Sequence, residues 1–181
     1  MIEYMAPSNQ KVKYMPIKGK ISKVDIIYTA GLIDGEGHIV IEKARRNNPK
    51  YKCPAYILMV GCTNTNKQII EWLFKVFGSS KPLRKRNYGH TNWRAGYEWN
   101  VSAIKALKFL ETIYPYLRIK KEQAKLAIKF QKEKMAKRKF ISSGKLRGNT
   151  LSKETLVYRD KIYQQMHFLN TGRHRISPVE T

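Results

Sequence analysis

Two acidic side chains, Asp34 and Glu36, lie close together at the end of a predicted helix. Ser22 is a suitable N-cap for that helix, and Asp25 stands where a capping box places its acidic partner. The glycines on either side of Glu36 end the helix, because glycine adopts the backbone conformations that terminate one. Since the helix dipole disfavours negative charge at a C-terminus, the two acids require a compensating cation.

Small residues lie in the middle of the same helix. Ala30 and Gly31 fill a core poorly, but they let two helix backbones approach closely, because side-chain size sets the separation of packed helices. We therefore expect Ala30 and Gly31 to form a helix–helix interface.

The chain carries a large positive charge. Its 181 residues include 36 Lys and Arg against 13 Asp and Glu, which gives a formal net charge of +23. Such a charge on one domain favours a polyanionic partner. No transmembrane helix or signal peptide is predicted, so we expect an intracellular protein with no membrane partner. Two cysteines are too few for a disulfide scaffold, and the sequence has no zinc-ligand spacing and no P-loop.

Two segments carry a family resemblance. Positions 29–37 read TAGLIDGEG and resemble the LAGLIDADG motif of homing endonucleases, with departures at Thr29, Gly35 and Glu36. Positions 115–124 read PYLRIKKEQA and resemble the signature that follows the second hairpin and third helix in many members. The motif occurs once, so the resemblance is to the single-motif type, whose members are homodimers.

Hydrophobic periodicity predicts an α+β fold. The predicted order is helix, hairpin, helix, hairpin, helix and a further helix, with a four-stranded antiparallel sheet. This order matches the family core, which is αββαββα with a curved antiparallel four-stranded sheet per subunit. Predicted helices cover 22–35, a stretch from a cap at Thr65 or Asn66 to Gly78, 104–113 and about 119–139. Predicted strands cover 38–44, 54–62, 83–88 and 97–101.

Three regions follow from this pattern. Residues 1–21 form a basic N-terminal arm, residues 22–140 the endonuclease core, and residues 141–181 a basic C-terminal extension. The extension contains a predicted helix capped by Thr150 or Ser152. That helix could pack on the core or follow the DNA backbone.

One face of the predicted sheet suits DNA. Alternate residues of a strand face opposite sides, so the apolar sets are buried under helices and the mixed sets face outward. A curved antiparallel ribbon fits the major groove and presents donors and acceptors to base edges. The second strand fits least well, because its outward residues are more apolar than hydrogen-bond readout requires. The residues expected to contact DNA are His38, Val40, Glu42, Arg45, Arg46, Arg84, Arg86, Arg94, Glu98, Asn100 and Lys121.

The chemistry expected at the motif is metal-dependent cleavage of a phosphodiester. Mg²⁺ keeps most of its waters and needs few protein ligands, and Glu36 with the carbonyl of Gly35 could supply two oxygens. Mn²⁺ or Ca²⁺ could substitute. The resemblance implies that two motif helices pack at a two-fold axis, that each subunit contributes one metal-binding acid, and that Asp34 is structural and braces the partner helix.

The resemblance also implies further catalytic residues. It places Lys120 beside the scissile phosphate, where a cation can stabilise the charge that develops in the transition state. It adds Asn64, at a position that often holds a water-positioning side chain, and Gln68, where some members carry a basic residue.

The leading hypothesis is therefore a site-specific double-strand DNA endonuclease of the intron-homing type. A homodimer that reads two half-sites implies a long pseudo-palindromic target. Two alternatives on the same fold stay open, an intron RNA maturase and a catalytically inactive DNA-binding protein. Glu36 favours cleavage, because loss of this acid would favour the maturase. The sequence leaves open the target, the host intron, and whether the compartment is organellar, archaeal or bacterial.

Overall fold

The computed structural model describes residues 21–44, 53–86, 94–142 and 152–172. These residues form five helices, a 3-10 turn and four strands. In chain order they are α1 (Lys23–Glu36), β1 (Gly37–Ala44), β2 (Ala55–Asn64), α2 (Lys67–Phe77), β3 (Arg84–Arg86), β4 (Gly96–Ser102), α3 (Ala103–Ile113), the 3-10 turn (Tyr114–Tyr116), α4 (Lys121–Ser142) and α5 (Lys153–Thr171). The order confirms the predicted α+β architecture. Residues 1–20 of the basic N-terminal arm, Arg45 and Arg46 lie outside the described residues.

The strands form one antiparallel sheet in the order β1-β2-β4-β3. The helices cover one face, because alternate residues of the three long strands are apolar and point to the same side. On that side Ile39, Leu58, Val60 and Trp99 are fully buried. They belong to one core cluster to which all five described helices contribute side chains.

The helix ends follow signals present in the sequence. At the start of α1 the Ser22 hydroxyl accepts a hydrogen bond from the backbone N–H of Asp25, at 3.1 Å. Asn66 caps α2 in the same way, and α2 ends at Gly78, whose φ of 66° lies in the left-handed region that favours glycine. Of the two candidate caps for α5, Ser152 is the one used. Local capping chemistry thus fixed these boundaries.

The C-terminal helix α5 packs against the core, which resolves the two alternatives for it. Ile162 and Met166 on this helix are buried in the core cluster. Asp160 accepts hydrogen bonds from the ammonium of Lys43 on β1, at 2.6 Å, and from the hydroxyl of Tyr56 on β2, at 2.9 Å. These polar contacts attach α5 to the far end of the first hairpin.

Two amide side chains attach the other end of α5. Asn170 donates from Nδ2 to the backbone carbonyl of Ile39 on β1, at 3.0 Å. Gln123 on α4 donates from Nε2 to the carbonyl of Leu169, also at 3.0 Å. The last turn of α5 is therefore held by both the sheet and α4.

Both cysteines are free thiols. Within the described ranges, none of the helices combines the length and the apolar composition needed to cross a membrane.

Candidate active site and nucleic-acid interface

The C-terminal end of α1 is occupied by a lysine from a distant part of the chain. Lys120, which lies just before α4, donates from its ammonium to the backbone carbonyl of Ile33, at 3.0 Å, and to that of Asp34. These are among the last carbonyls of α1, which have few partners within the helix. Lys120 is therefore the compensating cation that the acids at this helix end require. Since an ammonium has three N–H donors, one donor of Lys120 remains after these two bonds.

Asp34 makes the reciprocal contact. Its two carboxylate oxygens accept hydrogen bonds from the backbone N–H groups of Arg118, at 2.7 Å, and Lys120, at 2.9 Å. Burial raises the pKa of Asp34, but the backbone N–H groups of residues 118–120 outweigh it and hold the pKa below its ordinary value. Asp34 thus braces a turn of its own subunit, whereas the resemblance implied that it braces the partner helix.

Glu36 and Gly35 are exposed in the last turn of α1, next to the carbonyls that Lys120 occupies. The charges of Glu36 and Lys120 both affect the pKa of a cysteine on the neighbouring strand. Cys62 on β2 pairs with Gly37, and its pKa is raised to about 11, first by burial and then by the Glu36 carboxylate, with Lys120 opposing. Glu36 and Lys120 therefore act on the same small region, where β1 begins and β2 ends.

The donor set at this helix end fits a hard cation such as Mg²⁺. Glu36 offers an exposed carboxylate and Gly35 a carbonyl at the helix terminus, and both are oxygen ligands. Asp34 cannot join them readily, because both of its carboxylate oxygens are hydrogen-bonded. In the part of the chain that the structure describes, no three His, Cys, Asp or Glu side chains come together as a metal-binding group. Of the two acids at this helix end, Glu36 is thus the one whose carboxylate is exposed.

Gly37 shows why a glycine must follow Glu36. A Cβ at Gly37 would stand 2.8 Å from the Cα and carbonyl oxygen of Ile33 in the last turn of α1. The chain can therefore turn directly from helix into β1 only when this residue lacks a side chain.

Asn64 and Gln68 lie on either side of the turn between β2 and α2. Asn64 ends β2, and its side-chain oxygen accepts from the backbone N–H of Asn66, at 2.8 Å. Gln68 is exposed in the first turn of α2. The Asn64 oxygen is therefore engaged in the turn, and the catalytic roles of both residues stay predictions.

Strand register gathers most of the predicted DNA contacts on one face of the sheet. Directly paired residues of an antiparallel sheet share a face. Three rows of paired residues lie on the face away from the helices: His38–Gly61–Asn100, Val40–Met59–Ser102 and Thr63–Glu98–Arg84. Glu42 continues this set on β1, opposite Ile57. The alternation in the sequence predicted these directions.

The middle of this face is more tightly packed than the sequence indicated. Glu98 is 8% exposed and Asn100 3%, although both lie on the outward side. The His38 ring lies against Gly61, since a Cβ added there would come within 2.5 Å of it. Within the described residues, the side-chain oxygen of Asn100 is buried without a hydrogen-bond partner. The alternation fixed direction, but cross-strand neighbours decide how much of each side chain is exposed.

Positive side chains are exposed on the edge strand β3, just before β4 and on α4. Arg84 on β3 and Arg94 just before β4 are exposed, as is Lys121 at the first position of α4. Arg86 pairs with Gly96 in the β3–β4 ladder. The exposed lysines of α4 form a stripe at helical spacing, which consists of Lys121, Lys125, Lys129 and Lys132.

A second exposed surface runs along α1. Val24 is 74% exposed, Tyr28 54%, and Gly31 and Gly35 follow on the same side of the helix. A Cβ at either glycine would meet no atom within 4 Å. We call this set the open face of α1. Ala30 does not belong to it, because it is fully buried within its own subunit. The prediction that paired Ala30 with Gly31 at a helix–helix interface is corrected in that respect.

The fold is similar to that of several solved nucleases. The homing endonuclease I-CvuI in complex with the I-CreI target, solved in the presence of Mg, superposes with a TM-score of 0.66 at 22% identity, over 85% of this chain and 87% of that one. The archaeal intron-encoded I-Vdi141I, complexed with DNA, gives 0.61 at 17% identity, over 85% and 89%. I-TnaI gives 0.59 at 22% identity, over 88% and 92%.

At the level of sequence, no family model and no curated protein matches the chain. The structural similarity extends over most of this chain and most of each of the three nucleases, so it covers the whole core rather than a single motif. This chain therefore has the fold of the LAGLIDADG homing endonucleases.

Proposed function

We propose that this protein is a site-specific, metal-dependent DNA endonuclease that acts as a homodimer. The observation that carries the proposal is the end of α1, where the Lys120 ammonium is held by the carbonyls of Ile33 and Asp34 and the exposed Glu36 follows two residues later. The net charge of +23 and the DNA bound to the similar nucleases support a DNA substrate.

In this proposal Glu36 and the carbonyl of Gly35 hold Mg²⁺. When bound, such an ion activates a water and neutralises charge on the phosphate oxygens. Lys120 contributes a second positive group, since its remaining N–H can donate to the phosphate as negative charge develops there. The two carbonyls that already bind Lys120 fix its direction, so little reorganisation is needed during the reaction.

A second subunit completes the site. Each subunit offers one exposed acid, Glu36, at the end of α1, while cutting both strands requires a reacting centre on each of them. The open face of α1 lets two motif helices pack closely around a two-fold axis, because Gly31 and Gly35 leave the backbone uncovered. Two Glu36 carboxylates would then meet, and bridging cations would relieve their repulsion.

The outward face of the sheet is the proposed DNA-reading surface. It carries acceptors and donors on His38, Glu42 and Arg84, which match base-edge groups in the major groove. Two such surfaces related by a two-fold axis read two half-sites, so we expect a long pseudo-palindromic target of the intron-homing type.

The test is cleavage of a randomised DNA library by the purified protein with Mg²⁺, followed by sequencing of the cut ends. Wild-type protein should cut a defined pseudo-palindromic site, and Glu36→Gln should bind that site with similar affinity and leave it intact. A Glu36→Gln protein that cuts at the wild-type rate contradicts the assignment of the metal-binding acid.

Lys120 is tested against a matched lysine on α4. Lys120→Met should lower the single-turnover cleavage rate far more than it weakens binding, because the lost interaction belongs to the transition state. Lys129→Met, on the exposed stripe of α4, should instead weaken binding and reduce its salt dependence by about one phosphate contact. Normal cutting by Lys120→Met at saturating protein would reduce Lys120 to a structural cap of α1.

A further inference from the structure

We propose that Asp34 is a positioning residue for Lys120, through a two-way clamp between the end of α1 and the turn at residues 118–120. This inference rests on the proposed function, because it assigns Lys120 a role in cleavage. Asp34 itself does not touch the substrate in this proposal. It sets where the ammonium of Lys120 is held.

The clamp consists of four hydrogen bonds between segments more than 80 residues apart, 84 in the case of Asp34 and Arg118. Two run from the turn to the Asp34 carboxylate, from the N–H groups of Arg118 and Lys120. Two run from the Lys120 ammonium to the carbonyls of Ile33 and Asp34. Each carboxylate oxygen takes one N–H. In an amide one of these two oxygens becomes an NH2 donor, which cannot accept from the N–H that faces it.

The turn at residues 118–120 lies between two core residues but is itself largely exposed. Leu117 is buried on one side of it and Ala124 on the other, and both belong to the core. Between them Arg118 is exposed and Ile119 is 73% exposed. Among the described residues, the backbone of Lys120 is held from two sides: its carbonyl accepts from the N–H of Ala124 in α4, at 3.0 Å, and its N–H donates to Asp34 in α1. The bonds from Arg118 and Lys120 to Asp34 are therefore the ones that tie this backbone directly to the end of α1.

A lysine needs such support to act as a fixed charge. Its long side chain has many rotamers, and confining it costs conformational entropy. A group that stabilises a transition state is most effective when it is already in place before the reaction. By anchoring the Lys120 backbone, Asp34 brings the ammonium within reach of two helix-end carbonyls, and these leave one N–H directed elsewhere.

The first experiment compares Asp34→Asn with wild type. The amide keeps the size of the side chain but cannot accept from both backbone N–H groups. We expect single-turnover cleavage at saturating protein to fall by about 10- to 100-fold, while affinity for the target changes less than about threefold. In the DNA-free protein, amide hydrogen exchange at Arg118 and Lys120 should become faster.

Ser22→Ala is the matched control. It removes the N-cap at the opposite end of α1, where Ser22 accepts from the N–H of Asp25, and lies outside the site. Ser22→Ala should lower the Tm of the protein, because it destabilises α1. It should leave the cleavage rate unchanged at temperatures where the protein stays folded. If Ser22→Ala slows cleavage as much as Asp34→Asn does, loss of helix stability explains both, and the positioning role is refuted.

A double-mutant cycle distinguishes positioning from an independent effect. If Asp34 acts through Lys120, then Asp34→Asn combined with Lys120→Met should cut no more slowly than Lys120→Met alone. If the rate of the double variant falls by the product of the two single losses, the two residues act independently and the proposal is overturned. Should Asp34→Asn fail to fold, Asp34→Glu retains the charge and displaces the carboxylate, and a folded Asp34→Glu protein that cuts at the wild-type rate would overturn it equally.

The outcomes also distinguish this proposal from the proposed function. If Lys120→Met cuts normally, the role of Lys120 in cleavage is wrong and no positioning role can stand on it. If Lys120→Met is slow but Asp34→Asn is not, the proposed function survives and only the clamp assignment fails.

Discussion

Replacement of Gly31 by leucine should affect the stability of one subunit and the association of two subunits in opposite directions. Gly31 is exposed on the open face of α1, and a Cβ there would meet no atom of its own subunit within 4 Å. Leucine favours the helical state over glycine by somewhat under about 1 kcal/mol in a helix interior. The isolated subunit should therefore tolerate Gly31→Leu and gain slightly in stability.

The effect on a dimer has the opposite sign. If the open faces of two α1 helices pack against each other, a two-fold axis presents the substitution twice in one interface. Overpacking costs roughly 1–3 kcal/mol at each site, so the interface should lose about 2–6 kcal/mol. At 1.4 kcal/mol per tenfold change in Kd, the dimer should dissociate roughly 30-fold to 10⁴-fold more readily.

Sedimentation velocity over a concentration series measures this loss, and circular dichroism on the same samples confirms that the variant is folded. Gln165→Leu on the exposed side of α5 is the control, because it also adds a surface leucine but lies away from α1. Gln165→Leu should remain dimeric. The reasoning fails if wild type is a monomer both free and on DNA, or if Gly31→Leu dissociates no more readily than wild type.

Two further substitutions test other parts of the fold. Gly61→Ala should displace the His38 ring, lower stability by about 1–3 kcal/mol and alter base preference in a cut-site library. Adding His38→Ala should restore most of the Tm. The recovery should be incomplete, because the new Cβ would also stand 3.0 Å from the Trp99 carbonyl. If the double variant recovers none of the lost Tm, the destabilisation comes from the contact with the Trp99 carbonyl alone. Burial raises the pKa of Asp160, but hydrogen bonds from Lys43 and Tyr56 outweigh it and hold the pKa below its ordinary value. The stability that Asp160 contributes is thus present above its unfolded pKa of about 3.9 and lost as pH falls through the lower folded pKa. The difference in Tm between wild type and Asp160→Asn should hold near pH 6 and shrink below about pH 4; a constant difference down to about pH 2 would contradict the ion-pair origin.

Much of the fold was predictable from the sequence because its signals are local. Helix ends at Ser22 and Gly78 depend on neighbours within one turn, and strand faces follow from the alternation of Ile39 and Ile41 with polar residues. The element order followed from these signals, and the structure confirms it. Local chemistry was therefore sufficient for the architecture.

The parts of the site that the sequence missed depend on contacts between distant segments. The acids of α1 indicated a cation, but only folding brings Lys120 to the carbonyl of Ile33, 87 residues away. Ala30 and Gly31 are adjacent small residues, yet one is buried and the other exposed, because successive helical residues point about 100° apart. The low exposure of Asn100 likewise comes from neighbouring strands rather than from its own strand.

The contact between Asn170 and the carbonyl of Ile39 also bears on how far the chain can be shortened. β1 is an edge strand, and an uncovered edge offers backbone groups with which a strand from another molecule can pair. A chain that ended before residue 152 would keep Glu36 and Lys120, but it would uncover this edge and the apolar core surface beneath Ile162 and Met166. A protein shortened in this way would then aggregate even though Glu36 and Lys120 were intact.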